Sequence, residues 1–83
     1  MRTDEVTQAI TQVLSPHIGE SMAYAAVCAQ TQKLKIGRTI RHHEVEALLA
    51  RIAAGLNVFV GPTTSAGAVE GARKAVSALE HTP

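Results

Sequence analysis

Residues 57–76, NVFVGPTTSAGAVEGARKAV, have the outline of a phosphate-binding loop. A short apolar run ends at a glycine, small polar residues follow, and a helical segment begins. A loop that holds nucleotide phosphates needs G-x-x-x-x-G-K-[ST], because glycines let backbone amides surround the phosphates, lysine neutralises their charge and the hydroxyl holds magnesium. Here Gly61 precedes Pro62, Thr63, Thr64 and Ser65, Gly67 comes one place late, and Ala68 stands where the lysine belongs. Pro62 removes one of the amides a cradle would use. The stretch therefore reads as a helix start, with Thr63, Thr64 or Ser65 accepting hydrogen bonds from the first amides.

Other chemistry-bearing residues are as bland. His42 and His43 stand beside Glu44 and Glu46, but adjacent histidines diverge on a helix, and neither His17 nor Cys28 completes a tetrahedral ligand set. His17 and the His42-His43 pair fall at helix beginnings, and His81 falls near the C-terminus. None sits mid-helix, where phosphotransfer would need it. Cys28, in AYAAVCAQ, reads as a buried small hydrophobe. Tyr24 reads equally well as a core edge or as an exposed contact. No paired carboxylates and no Ser/His/Asp set assemble. The expectation is a chain that is not an enzyme, with no cofactor, no metal and no evident small-molecule substrate.

Lys33, Lys35, Arg38 and Arg41 place four positive charges in nine residues. A helix-turn-helix drawn around this segment has too long a linker. Its second helix would open on Glu44 and Glu46, which phosphates repel, and aromatic stacking residues are lacking. The segment reads as a solvated patch or a contact for an acidic protein. Duplex DNA is the weaker alternative.

The chain has 83 residues, which makes a single domain over 1–83 with a thin core. Its apolar content of 46 % is rich in alanine and holds one Phe, one Tyr and no Trp, so close backbone approach must replace bulky interdigitation. One cysteine cannot form an internal disulfide, which fits a reducing compartment. The formal charge of +1 offers no broad attraction to nucleic acid or anionic lipid. The opening MRTDEVTQAI lacks a signal-peptide pattern, and no run approaches the roughly 18 apolar residues that span a bilayer. A cytoplasmic location and no membrane partner are expected.

The elements follow from apolar spacing and breakers. A first helix over about 4–14 carries Val6, Ile10, Val13 and Leu14 on one stripe, with Thr3 as its cap and Pro16 as its stop. A second, over about 17–35, faces inward with Ile18, Met22, Ala25, Ala29 and Ile36, a face that Val27, Thr31 and Leu34 widen, and ends at Gly37. Ile40 then turns inward as an anchor. A third helix, over about 43–53, buries Val45, Leu48, Leu49 and Ile52 and ends at Gly55. A fourth, over about 65–80, buries Val69, Ala72, Val76 and Leu79, with Glu70 and Lys74 as a surface pair. Leu56 to Val60 has strand propensity but no second strand to pair with. It reads as an extended apolar plug in which Phe59 caps the bundle, or as a strand lent to another chain. The fold class is thus all-α, a compact four-helix bundle-like domain.

The last helix also holds a row of small residues, Gly67, Gly71, Ala75 and Ala78, and the second holds Ser21, Ala25 and Ala29. Glycine within a helix costs about 1 kcal/mol relative to alanine, which close helix approach can offset. Either the two rows pack on each other, or one faces a partner or a second copy.

The words LSPHIGESMAYAAV and EVEALLARIAAGLNVFVG resemble small helical accessory domains of bacterial signalling proteins. Such domains open on a leucine, continue with I-G and a small-residue helix, and close with an apolar helix. The likeness spans most of residues 10–61 and departs at Glu20, where those domains often have proline. It implies an interaction or oligomerisation module and no catalytic residue. The expected contact residues are Ser21, Ala25 and Ala29, the basic Lys33, Lys35, Arg38 and Arg41, the plug residues Val58 and Phe59, and Gly67, Gly71 and Ala75.

Overall fold

In the computed structural model, which describes residues 1–80, the chain forms three helices: α1 (Thr3–Ile18), α2 (Glu20–Lys33) and α3 (His42–Glu80). The all-α expectation holds. Among the described residues there is no strand, only an isolated antiparallel bridge between Arg2 and Thr39. His81 lies outside the described residues.

Val6, Ile10 and Leu14 are wholly buried, so the stripe read from α1 is its inner face. Two expected limits of α1 shift. Thr3 is the first helical residue rather than the cap, and its amide donates to the Arg38 carbonyl at 2.9 Å. Pro16 does not stop the helix, because only the last turn lies beyond it and the Gly19 amide still reaches the Ser15 carbonyl at 2.8 Å. The break falls at Gly19, with φ 88° and ψ 151°, a conformation essentially reserved for glycine.

In α2 the inner residues are Val27, expected at the edge of the inner face, and Ala23, which lies outside the expected face. The expected stripe of Met22, Ala25 and Ala29 points to solvent instead. Small and apolar residues occur on every side of this helix, so spacing alone does not choose its inner face. Its end also differs from the expected stop at Gly37. Lys35 takes a left-handed conformation, φ 56°, while the Ile36 amide reaches Thr31 at 3.2 Å and the Lys35 amide reaches Gln32 at 3.0 Å. This is a Schellman termination. The following link is tied to the N-terminus, with the Ile40 amide donating to the Met1 carbonyl at 2.9 Å. Ile40 itself is buried, the expected anchor.

α3 opens with the Glu44 carboxylate accepting from the Arg41 amide at 2.9 Å, which is half of a capping box. Its 39 residues would extend about 58 Å if straight. The longest dimension of the molecule is 34 Å, so the helix must fold back. It does so at Gly61, φ 82° and ψ 163°, directly before Pro62. The two arms on either side bury Val45, Leu48, Leu49, Ile52 and Leu56, then Ala68, Val69, Ala72 and Val76.

Two expectations fail in this region. Gly55 does not end a helix, and residues 56–60 are helical rather than extended. An extended segment with no pairing strand leaves backbone amides without partners, whereas continuing the helix satisfies them, and that outweighs β-propensity. Ser65 is no cap either: it is buried, and its hydroxyl donates to the Ala53 carbonyl of the first arm at 3.2 Å. Glu70 pairs with Arg73 at 2.8 Å rather than with Lys74.

The glycines separate by conformation. Gly61→Ala should cost about 1–3 kcal/mol, because it forces a side chain into a glycine-only region. Gly67 is helical, and a Cβ there meets nothing within 4 Å. Gly67→Ala should therefore gain about 0.5–1 kcal/mol. Urea unfolding of the two variants, read by circular dichroism, should give shifts of opposite sign. Lys35→Gly should also stabilise, by up to about 1 kcal/mol, since the left-handed conformation is costly for a residue with a Cβ.

Candidate interaction surface

The two rows of small residues do not meet. A Cβ built on Gly71 would lie 3.2 Å from Cγ1 of Val13, so α1 and the second arm of α3 approach closely at this glycine. Ala75 is half-buried and Gly67 exposed. Ser21, Ala25 and Ala29 are all exposed on the outer side of α2. α1 fills the place that the expected pairing gave to α2.

That outer side continues into a groove between α2 and the first arm of α3. Its walls include Met22 and Ala26 of α2, with Ile18 at the end of α1, on one side and Gly55, Leu56 and Phe59 on the other, enclosing about 360 Å³. Both glycine corners adjoin lining residues in the chain: Gly19 follows Ile18, and Gly61 comes two residues after Phe59. Because residues 56–60 stay helical, Val58 and Phe59 are carried outward, 83 % and 66 % exposed. The expected role of Phe59 as a cap on the bundle is thus corrected. Met22, 47 % exposed, stands across the groove. One charged residue lines it: Arg51, whose Nε donates to Oε1 of Gln30 at 3.0 Å and so links the two walls. The sequence reading passed over Arg51, although a lone cation within LLARIAAG is the signal that marks it.

The basic residues Lys33, Lys35, Arg38 and Arg41 are exposed, as expected of a solvated patch. They spread over the α2 terminus and the link that crosses the N-terminus, rather than along one helix face. Arg38 shares a second, more polar cavity of about 680 Å³ with Arg2, Cys28, Thr31 and Thr39. Arg2 there is paired with Asp4 at 3.1 Å.

Cys28 is half-buried rather than fully buried. A hydrogen bond with its side chain raises the pKa of the exposed Tyr24 phenol, and repulsion from the sulfur adds to the effect. Among the described residues no group of three His, Cys, Asp or Glu is placed to hold a metal ion. α3 does begin early enough for His42 and Glu46 to share a face. The larger electrostatic feature joins the two arms: Arg73 donates Nε and Nη2 to the Glu46 carboxylate at 3.2 and 3.0 Å, and Nη1 to Glu70 at 2.8 Å. The hydrogen bonds from Arg73 hold the Glu46 carboxyl below the usual carboxylate range against a small desolvation effect, helped by the charges of Arg73 and His42.

By length and composition, α3 could cross a membrane. Residues 42–79 contain an 18-residue window with a mean hydropathy of 1.4, of which 28 % is buried. The expectation that no segment approaches a span is corrected to that extent. In this fold the same helix turns back at Gly61 and supplies much of the core.

No protein-family model, curated protein or solved structure matches this chain.

The Glu46–Arg73 contact has a pH signature. A carboxyl whose pKa is depressed by folding stabilises the fold above its unfolded pKa, about 4.3, and loses that contribution as pH falls through the folded value. Glu46→Gln should lower the melting temperature at pH 7, with the difference from the wild type shrinking as the pH drops below about 4. Thermal melts across pH 3–7 would show this. A difference independent of pH would assign the effect to packing instead.

Proposed function

We propose that this chain is a non-catalytic interaction domain, which engages a protein partner through the outer side of α2 and the exposed end of the first arm of α3. The observation that carries the reading is the exposure of Met22 and Phe59 on opposite walls of one apolar groove, with Val58 exposed beside Phe59 in the chain. Large apolar side chains scattered singly on a surface need no explanation, but a cluster around a concavity marks contact sites. Ala25 and Ala29 beside the groove let a partner approach the α2 backbone closely. In this reading the arms of α3 act as separate helices, so the domain works as a four-helix bundle. The resemblance to accessory domains of signalling proteins points the same way. Salt-sensitive contacts from Lys33, Lys35, Arg38 and Arg41 would favour an acidic partner.

A photo-crosslinking phenylalanine analogue placed at position 59 or 22 tests the reading in cells. Discrete protein adducts are expected from both positions and none from exposed position 12 on α1. Phe59→Asp should change unfolding free energy by no more than about 0.5 kcal/mol, as for other exposed sites. Equal labelling from all three positions, or none, would remove the support for this surface.

A further inference from the structure

We infer that the groove between α2 and the first arm of α3 takes the apolar face of an amphipathic helix from another protein, with a carboxylate of that helix seated on Arg51. This deepens the interaction reading and rests on it. The shape comes first. Along α2 the wall runs from Met22 through Ala26 to Gln30, which is about 12 Å at the helical rise, and Ile18, the last residue of α1, adjoins it across the Gly19 corner. That length matches the roughly two turns, about 10.5 Å, spanned by apolar anchors at i, i+4 and i+7 of a docked helix. The groove is concave and lined mainly by aliphatic groups, Phe59 and Gly55.

Charge then selects the occupant. No acidic residue lines the groove, and Arg51 is its one ionic group. Gln30 holds Nε of Arg51, which leaves the two terminal nitrogens with no carboxylate partner among the described residues. A guanidinium fixed in this way presents a ready fork for a carboxylate. Lys33 extends the same polarity, since it follows Met22, Ala26 and Gln30 on one side of α2 and is exposed. A docked helix is thereby oriented, with its apolar anchors toward Met22 and Phe59 and its acidic side chain toward Arg51 and Lys33. A second copy of this chain laid on the groove would bring Arg51 and no acidic groove residue to meet it. A nucleic acid would meet apolar walls, and a flat bilayer would leave the concavity unfilled.

The test is selection from a display library of amphipathic helical peptides, run on the folded wild-type domain and on Arg51→Glu. Met22→Asp serves to mark binders that occupy the groove. Helices with i, i+4, i+7 apolar anchors and an enriched Asp or Glu beyond the last anchor are expected on wild type. Replacing that acid by lysine should weaken binding about tenfold, as should Met22→Asp, and selection on Arg51→Glu should enrich lysine or arginine instead. Circular dichroism confirms that the exposed substitutions leave the fold intact. Groove binders with no charge bias would overturn the role of Arg51. Binders insensitive to Met22→Asp would overturn the groove while leaving an interaction domain standing. So would dimerisation by light scattering, or binding to phosphatidylcholine–phosphatidylglycerol vesicles, if Met22→Asp abolished it. An absence of both binders and crosslinked adducts would remove the two readings together.

Discussion

The fold depends on one face of one helix. Val6, Ile10 and Leu14 of α1 are the wholly buried row against which the other elements pack, and each such side chain contributes about 1.5–3 kcal/mol on burial. The other large core side chains, Ile40, Leu48, Leu49, Ile52 and Leu56, come from the link and the first arm of α3 and join the same cluster. α1 therefore lies centrally, touching both α2 and α3, while α2 and α3 meet each other less. Where α1 approaches the second arm of α3, Gly71 makes room for Val13. The same central position leaves α2 with only Ala23 and Val27 fully inside, and so with a broad outer side that the core does not use.

Two corners make this arrangement possible in so short a chain. Gly19 and Gly61 adopt nearly the same conformation, φ 88°, ψ 151° and φ 82°, ψ 163°. Each sits between two helical segments, with no loop intervening. Four residues after each glycine comes a small buried residue, Ala23 or Ser65, and eight residues after comes a buried valine, Val27 or Val69. The chain thus uses one device twice: a glycine-only angle turns the path, and a small side chain one turn later lets the next segment pass close to the last. At the second corner the Ser65 hydroxyl bonds to the Ala53 carbonyl, and Arg73 bridges Glu46 and Glu70 further out.

Legibility in the sequence followed amphipathicity. The inner faces of α1 and both arms of α3 are readable, because Val6, Ile10 and Leu14, then Val45, Leu48, Leu49 and Ile52, recur at helical spacing among polar residues. The inner face of α2 is not, since residues 21–32 carry no charge and small residues occur all round. Breakers mislead where the local rule is right but the partner group lies elsewhere. Pro16 is tolerated near a helix end, Gly37 is pre-empted by Lys35, and the hydroxyl of Ser65 caps nothing because it is used across the corner. The helical state of Val58 and Phe59 was hidden for the same kind of reason. Their propensity is for strand, and only the absence of a pairing edge decides for helix.

That decision also creates the candidate site. Had residues 56–60 folded inward as an extended plug, Phe59 would have closed the end of the core and no groove would remain. Continuing the helix instead leaves Leu56 as the last fully buried residue of the first arm, and it leaves Val58 and Phe59 exposed before Gly61 turns the chain. The apolar surface placed opposite Met22 is thus the direct product of satisfying backbone hydrogen bonds through the corner. Exposing such side chains forgoes burial that would have stabilised the isolated domain by about 1.5–3 kcal/mol for each side chain. A partner helix in the groove would return that burial on binding, which gives the exposed end of the arm a physical reason to stay outside the core.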